Sequence, residues 1–461
     1  MSFISICFTI LFICSVVLFY LLPKSQRLIL LVSSFIFIGY YHIAFLAIAL
    51  GIAMITYFAG KMIASADNDK KAGWLLFSSI LLLVFIWLAL RHPWIVPKSI
   101  YLFPLGISFY SFQALSYLID IYWGDEKPER NVWDFLIYML FFMKFLSGPI
   151  ERSGDFLPQI KERKAFDYDI VSFGLKLMMI GLFKKVVIAD NMAPYIDNMY
   201  TGMHTASGAQ LLMTCLLYPI QLYTDFSGYT DIAIGGAAMF GLKLAPNFDR
   251  PFISKSTSEL WRRWHMSLSF WVRDYIYVPL TSVTRSMGLT GISFSLLITF
   301  TVLGLWHGAG WNFVVYGLIQ GFIITYEMLT TGMHKRMAKV MGEGLYNFIF
   351  IIRTYLLYAV SLVFFRAESL SDATYLISHI SLQVNSKWNE INIGMPDRNT
   401  LVCSITFVLL MVFEHYNQKN NLIKAISNKP TAVRWTVYYI LLLILFIYGA
   451  FNTDTFVYLQ F

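Results

Sequence analysis

Long apolar runs recur along this chain and constrain its fold more than any other feature. A helix needs about 20 apolar residues to cross a bilayer, which predicts roughly ten to twelve spans here. The runs cover residues 3–22, 28–60, 74–90, 136–146, 171–188, 211–222, 292–306, 313–329, 346–365, 401–413 and 437–451. We expect the first run to be a retained membrane helix, because neither a basic residue ahead of it nor a small-residue cleavage pattern behind it suggests a signal peptide.

Composition supports an all-α, polytopic membrane protein. The sequence is 57% hydrophobic and only 13% charged, whereas soluble chains carry roughly a quarter charged residues. No repeat of 20 to 50 residues is evident, and the polar connections are too short to separate two domains. We therefore predict one multi-pass domain over residues 1–461. Its longest non-spanning stretches, 241–291 and 366–400, are expected to contain short interfacial or re-entrant helices.

The basic residues point to a membrane partner. The net charge is +8, but lysines and arginines are spread over several short loops, which is typical of contacts with anionic lipid headgroups and not of nucleic-acid binding. The four cysteines match neither a zinc site nor a redox pair. We expect the lipid bilayer as a partner, no nucleic acid and no metal site.

His307 is the strongest candidate for a catalytic residue. It lies in the apolar segment Gly304-Leu305-Trp306-His307-Gly308-Ala309-Gly310-Trp311. An ionisable side chain at membrane depth is expensive and suggests function, and imidazole exchanges protons near neutral pH. The nearby glycines leave room for another backbone or for a ligand. The competing interpretations are a core histidine bonded to a carbonyl, and helix packing through small residues.

Residues 259–274 have the period of an amphipathic helix. On a helical wheel Trp261, Trp264, Leu268 and Trp271 share one arc. The opposite arc carries Arg262, His265, Ser269 and Arg273. Such a helix lies flat at the headgroup level or lines a water-filled cavity with its polar face, and in the first case His265 is simply solvated.

Two carboxylates, Asp225 and Asp231, interrupt a third apolar region. Six residues apart on one helix, they point about 120° away from each other, so they are not expected to form an acid/base pair. One of them orients a histidine or pairs with Arg262, Arg263 or Arg273; a structural ion pair is favoured over direct chemistry.

These motifs together closely resemble the membrane-bound O-acyltransferase (MBOAT) family, above all its bacterial alginate and peptidoglycan O-acetylases. The resemblance spans most of the chain after about residue 102 and is most specific from 221 to 311. It rests on residues 221–235, 247–251, 261–269 and 273–277 and on Trp306-His307-Gly308, with further matches at 144–152, 364–367 and 456–461.

The resemblance implies a ring of transmembrane helices with a central tunnel. One cavity opens to each face of the membrane; His307 is expected where the two cavities meet, and His265 towards the cytoplasmic one. It implies transfer of an acetyl group from a cytoplasmic thioester, with acetyl coenzyme A as a substrate and not a bound cofactor, towards hydroxyls of an extracytoplasmic polysaccharide. The expected location is the bacterial cytoplasmic (inner) membrane, and the expected partner is an extracytoplasmic SGNH-type acetyltransferase.

Elementary chemistry assigns roles to the same residues. A hydroxyl becomes a good nucleophile when a base removes its proton, and His307 fits that base, with His265 as a second catalytic candidate. Arg262, Arg263 and Arg273 suit the phosphates of the donor. Asn312, Trp311 or glycine amides suit the oxyanion, and Trp306 and Asp225 complete the predicted substrate or donor site.

The sequence departs from the family pattern in two places. The Gly-Gly-Asn expected after the 275–280 stretch is replaced by Thr281-Ser282-Val283, which leaves the acceptor and any partner at that loop open. In the C-terminal tail Leu459 replaces an aromatic residue. Related systems suggest that a tyrosine in such a tail holds the acyl group transiently, here Tyr458; the alternative is a tail of aromatic interface anchors.

Three other functions stay open at this point. D-alanyl transfer to teichoic acid is the nearest alternative within the family. A polysaccharide flippase or transporter would use Asp225, Asp231 and His307 as a pathway and would consume no donor. An intramembrane hydrolase would use Ser227 or Ser267, but neither serine lies in a Gly-x-Ser-x-Gly elbow.

Overall fold

The computed structural model describes residues 2–91, 106–146, 148–308, 310–381, 397–420 and 422–451. Every regular element in these ranges is a helix, which confirms the all-α class. The chain divides into two compact units, Met1–Leu182 with Tyr229–Pro246, and Phe183–Gly228 with Asn247–Phe461. The single domain and the ring with a central tunnel stay predictions.

Six helices among the described residues are long and apolar enough to cross a membrane, which confirms a polytopic membrane protein. They are Ile43–Ala64, Asp69–Leu90, Arg285–His307, Trp311–Leu329, Glu343–Arg366 and Thr431–Tyr448. Three shorter apolar helices cover Ile6–Leu21, Gln26–Tyr41 and Val402–Asn417. Fewer helices qualify than the ten to twelve predicted, because several apolar runs fold into short or interrupted helices; the run at 136–146, for example, is divided between two.

The first unit is built mainly from helices that pack against their neighbours in sequence. They are α1 (Ile6–Leu21), α2 (Gln26–Tyr41), α3 (Ile43–Ala64), α4 (Asp69–Arg91), α5 (Ile107–Trp123), α6 (Val132–Leu140), α7 (Phe142–Phe145), α8 (Ser153–Lys161) and α9 (Tyr168–Leu182). Helix α2 packs between α1 and α3, α5 returns against α3 and α4, and α6 packs against α2, α3 and α8. The rings of Phe3, Phe8, Phe37 and Phe142 form an aromatic core beside α1 and α2.

The second unit contains most of the residues predicted to be functional. Its helices are α10 (Asp190–Thr201), α11 (Gly208–Ala238, through Gly228), α12 (Thr257–Arg263), α13 (Met266–Val272), α14 (Val278–Val283), α15 (Gly288–His307), α16 (Trp311–Leu329), α17 (Thr331–Met341), α18 (Glu343–Arg366), α19 (Leu370–Ser378), α20 (Asp397–Asn420), α21 (Leu422–Ser427) and α22 (Thr431–Tyr448). The short helices α12, α13 and α14 confirm that the 241–291 stretch contains non-spanning helices.

Helices α15 and α16 form a closely packed pair that carries His307 at the end of α15. A Cβ atom on Gly304 would lie 2.2 Å from the carbonyl oxygen of Phe313, and one on Gly317 would lie 2.2 Å from that of Phe300. Real side chains do not tolerate such distances, so both positions require glycine for the two backbones to approach. The helix-packing interpretation is therefore confirmed for Gly304.

Candidate active site

His307 is buried among aromatic side chains at the end of α15. Its ring centroid lies 4.7 Å from that of Trp306, 4.9 Å from Phe365 and 6.0 Å from Tyr316, each edge to face. Edge-to-face packing by three aromatic rings limits the movement of the imidazole. A general base must be held in a defined position relative to the proton that it removes. A core histidine would have the same contacts, and the role of His307 as the base stays a prediction.

His265 lies between α12 and α13 in a left-handed backbone conformation, with φ of 43°. Its side chain is buried, with the ring edge-on to Phe226 at 4.7 Å between centroids. The ring of Trp306 lies 6.4 Å from it, measured between centroids. Trp306 is thus next to both histidines, although the two lie in different motifs.

Asn247 fixes the tautomer of His265. Its Oδ1 accepts the main-chain N–H of Ser267 at 3.1 Å, so this atom is the amide oxygen. Nδ1 of His265 lies 3.1 Å from the same oxygen and must therefore donate a proton to it. Burial lowers the pKa of His265 to about 3, so the ring is neutral at physiological pH. Nε2 consequently carries the lone pair of this imidazole.

The predicted continuous helix over residues 259–274 is wrong. Helix α12 ends at Arg263 and α13 begins at Met266. The break arises because Asn247 supplies acceptors to the first turn of α13: its carbonyl takes the N–H of Met266 at 2.9 Å and its side chain takes that of Ser267. The three tryptophans of the predicted apolar face are nevertheless buried. His265 is buried too, so the interpretation of His265 as a solvated side chain is also wrong.

A cavity of about 630 Å³ lies between α12, α13, α15, α16 and α18. Lys255, Arg262 and Arg273 line it and are exposed. Its apolar lining includes Trp261, Phe270, Phe300, Leu303, Ile324 and Met328. A lining of exposed cations and apolar side chains suits a ligand that has both anionic groups and an uncharged chain. Neither histidine lines the cavity, but Leu303, one helical turn before His307, does.

Glu327 anchors the wall of this cavity. Its buried carboxylate accepts the main-chain N–H of Thr257 at 2.9 Å and that of Ser258 at 3.2 Å, which satisfies the first turn of α12. The guanidinium of Arg353 pairs with the same carboxylate. The position of α12, and with it that of Arg262, is therefore fixed from α16 and α18.

The three predicted donor-binding arginines have different surroundings. Arg262 and Arg273 line the cavity; Nε of Arg273 also contacts Asp274 at 2.7 Å. Arg263 does not line the cavity, because its guanidinium pairs with Asp249 at 3.0 Å and with Glu259 at 2.9 Å. These ion pairs give Arg263 a structural role, and its predicted binding of the donor's phosphates stays a prediction.

The remaining predicted site residues differ in their contacts and in their burial. Nδ2 of Asn312 donates to the carbonyls of Phe364 at 3.2 Å and Ala367 at 2.8 Å, so both amide hydrogens hold the end of α18 and neither is left for an oxyanion. Trp311 is 76% exposed, whereas Trp306 is buried beside His307. Tyr458 lies outside the described residues.

Asp225 belongs to a buried network of charges. Its Oδ1 lies 2.6 Å from Nζ of Lys185, and the same ammonium lies 2.6 Å from Oδ1 of Asp190. The structural ion-pair role is confirmed, but the predicted partners, Arg262, Arg263 and Arg273, are wrong. The adjacent Lys184 pairs with Glu414 at 2.7 Å, and that carboxylate accepts the hydroxyl of Tyr223.

The two lysines of this network lie on a π-helix, Phe183–Ala189. Its carbonyls bond to other segments: that of Val186 accepts the N–H of Ala450, and that of Val187 accepts the side chain of Asn191. Sequence reasoning missed these lysines and Asn247. The signal for the lysines was visible, since two consecutive cations interrupt the apolar run at 171–188.

Comparison with known proteins identifies the family. The family model described as MBOAT, membrane-bound O-acyltransferase family, matches residues 129–366. A probable alginate O-acetylase AlgI of Pseudomonas fluorescens is 36% identical over 358 residues, which covers 77% of this chain and 70% of that protein. The peptidoglycan O-acetyltransferase of Helicobacter pylori is 30% identical over 95% of this chain and 92% of its own length.

A third relative carries out a different transfer. The teichoic acid D-alanyltransferase of Bacillus subtilis is 33% identical over 254 residues, or 52% of this chain and 63% of that protein. Taken with the helical architecture, the family model and the identities to the O-acetylases show that this chain belongs to the membrane-bound O-acyltransferase family and is a multi-pass membrane acyltransferase.

Proposed function

We propose that this acyltransferase moves an acetyl group from a cytoplasmic acyl thioester, such as acetyl coenzyme A, to hydroxyls of an extracytoplasmic polysaccharide, with His307 as the general base. The observation that carries the proposal is that Trp306 packs against both His307 and His265. Two imidazoles on one indole provide a proton acceptor and a second polar group in an environment with little water.

The cavity of about 630 Å³ supports a thioester donor. Arg262, Arg273 and Lys255 provide three cationic side chains for phosphate groups, and the apolar lining suits the uncharged arm that carries the thioester. Leu303 lies four residues before His307 on α15, which is about 6 Å along a helix. A donor in this cavity would therefore place its thioester end close to the proposed base.

The proposed chemistry is a balanced acyl transfer. Nε2 or Nδ1 of His307 takes the proton of the acceptor hydroxyl, and that oxygen attacks the thioester carbonyl to form a C–O bond. The tetrahedral intermediate collapses as the C–S bond breaks, and the departing thiolate receives the proton from the imidazolium. With the Asn312 amide engaged, main-chain N–H groups of the glycine segment are the proposed oxyanion donors.

The acceptor is proposed from the relatives named alginate O-acetylase and peptidoglycan O-acetyltransferase. We place the enzyme in the bacterial inner membrane, with an extracytoplasmic SGNH-type protein receiving the acetyl group. The similarity to a teichoic acid D-alanyltransferase supports a second candidate, D-alanyl transfer to teichoic acid. In that candidate the base and the displacement stay the same, whereas the acyl group, its thioester carrier and the acceptor differ.

The test uses purified protein in lipid nanodiscs with radiolabelled acetyl coenzyme A. With the SGNH-type partner and polysaccharide added, we expect thiol release and acetyl labelling of the polysaccharide in the wild type. We expect a loss of about 10² to 10⁴ in rate for His307→Ala. His379→Ala changes an exposed histidine of the same unit and is the matched control. Tyr458→Phe reports whether the tail carries the acetyl group: retained labelling of the protein in this variant would exclude that role.

Two outcomes would contradict parts of this proposal. Equal turnover in the wild type, His307→Ala and His379→Ala would exclude His307 as the base. Turnover with a D-alanyl carrier protein but not with acetyl coenzyme A would replace acetyl transfer by D-alanyl transfer and would leave the role of His307 intact.

A further inference from the structure

A second cavity, of about 320 Å³, lies in the first unit, where the turn between α1 and α2 meets the segment at the end of α8. Five basic side chains line it: Lys24, Arg27, Lys161, Arg163 and Lys164. Among the described residues, Glu162 is the only acidic one that lines it. Two short basic stretches, more than 130 residues apart in sequence, thus contribute to one concave surface.

Hydrogen bonds hold the two stretches together. The buried side chain of Gln26 donates to the carbonyl of Lys164 at 2.7 Å and accepts the N–H of the same residue at 2.9 Å. Arg27 donates to the carbonyl of Lys161 at 3.0 Å. The backbone on both sides of the cavity is therefore fixed in the protein itself, and a ligand would find the cationic groups already assembled.

The charges of the cavity are only partly compensated. Arg27 pairs with Asp134 at 3.1 Å, Lys161 pairs with Glu129, and Lys164 pairs with Glu162 at 2.8 Å. Lys24 and Arg163 are exposed and have no carboxylate partner within the described ranges of the chain. Two positive charges thus remain for an anion, one from each of the two stretches.

The surroundings of the cavity are apolar. Helices α1 and α2 are both apolar, so the turn between them lies at a membrane boundary. Leu21 and Leu28, on either side of this turn, are 68% and 60% exposed. Phe19, Leu30 and Leu242 line the cavity beside the basic groups. Such a surface fits a ligand that carries an anionic group next to hydrocarbon chains.

We propose that this cavity binds the phosphate of an anionic phospholipid headgroup, with Lys24 and Arg163 as the two groups that bind it. The site does not depend on the acyl-transfer chemistry, since all of its lining residues lie in the first unit. A free phosphate ion has the same anionic chemistry but no hydrocarbon chains, and the experiment distinguishes the two sources.

The experiment measures lipid retention by native mass spectrometry of the full-length protein, with phosphatidylglycerol or phosphatidylcholine added. We expect the wild type to retain phosphatidylglycerol preferentially and to lose it as ionic strength rises. Each basic side chain near an anionic headgroup contributes roughly fivefold to binding. Lys24→Gln/Arg163→Gln should therefore weaken phosphatidylglycerol binding about 25-fold.

The matched control is Lys70→Gln/Lys127→Gln, which removes two exposed lysines of the same unit that do not line the cavity. It should bind phosphatidylglycerol like the wild type. The proposal is overturned if both double variants bind the lipid equally, or if the wild type does not distinguish the two lipids. It is also overturned if inorganic phosphate, titrated into the wild type, displaces phosphatidylglycerol at comparable concentration, because the ligand is then a free anion.

Discussion

Nδ1 of His265 lies 3.1 Å from Oδ1 of Asn247, and the same oxygen accepts the main-chain N–H of Ser267. One amide thus sets both the tautomer of the buried imidazole and the start of α13. By accepting these N–H groups, Asn247 interrupts the continuous helix that the sequence period predicts over residues 259–274.

Replacement of Asn247 by alanine should therefore affect both stability and activity. It leaves Nδ1 of His265 and the hydroxyl of Ser267 without their shared acceptor, and each buried polar group left unpaired costs about 1–3 kcal/mol. We expect a lower thermal midpoint and acetyl transfer reduced by tenfold or more. Asn198→Ala, at an exposed position of the same unit, is the control. Equal thermal midpoints for the two variants would contradict the assignment.

The pKa of His265 predicts how stability depends on pH. Burial lowers it to about 3, whereas histidine in an unfolded chain titrates near 6.5. Between these values the unfolded state binds a proton that the folded state does not, so stability falls as the pH drops below about 6.5 and is unaffected above it. From pH 6.5 to 5 the loss is about 2 kcal/mol.

The measurement compares unfolding of the wild type and of His265→Asn at pH 7 and pH 5. Asparagine tolerates the left-handed conformation of this position and does not titrate. We expect the wild type to lose more stability than the variant on acidification. The same loss in both proteins would mean that other groups are responsible.

The buried charges around Lys185 predict an order of stabilities. Lys185→Met leaves the carboxylates of Asp190 and Asp225 facing each other without the ammonium, whereas Asp225→Asn leaves the Lys185–Asp190 pair intact. Removal of one partner of a buried ion pair costs about 3–5 kcal/mol. We expect Lys185→Met to be the less stable variant when unfolding is followed by tryptophan fluorescence. The reverse order would show that the two aspartates do not depend on this lysine.

The close approach of α15 and α16 can be tested through their glycines. Gly304→Ala would place a methyl group 2.2 Å from the carbonyl of Phe313 and push the helices apart, at a cost of about 1–3 kcal/mol. Gly332→Ala, on α17, meets no atom within 4 Å and should stabilise that helix slightly. Thermal unfolding of the two variants checks this contrast. Equal effects would mean that the helix pair tolerates a wider separation.

What the sequence could predict depends on how local the cause is. The burial of Trp261, Trp264 and Trp271 follows from a helical period that is present in neighbouring residues. The break at His265 depends on Asn247, 18 residues earlier, which no local period contains. The partner of Asp225 is likewise set by tertiary packing. Its carboxylate was correctly expected in an ion pair, but Lys185 is 40 residues away along the chain.

The glycines beside His307 show the same limit. Their sequence spacing was compatible with a ligand or with helix packing, and only the position of Phe313 and Gly317 on α16 decides for packing at Gly304. Asn312 is similar, because its amide is engaged by carbonyls more than 50 residues later in the chain.

The neighbouring residues Arg262 and Arg263 should separate donor binding from stability. Arg262 is exposed and lines the cavity, so Arg262→Gln should raise the KM for the thioester about fivefold or more, with unfolding unchanged. Arg263 instead joins Asp249 and Glu259, so Arg263→Gln should lower stability by about 1 kcal/mol with little effect on KM. Each variant is the control for the other, since both remove one positive charge from α12. If both raise KM equally, the donor is attracted by the overall charge of the helix. If only Arg262→Gln does so, the contact is made in the cavity.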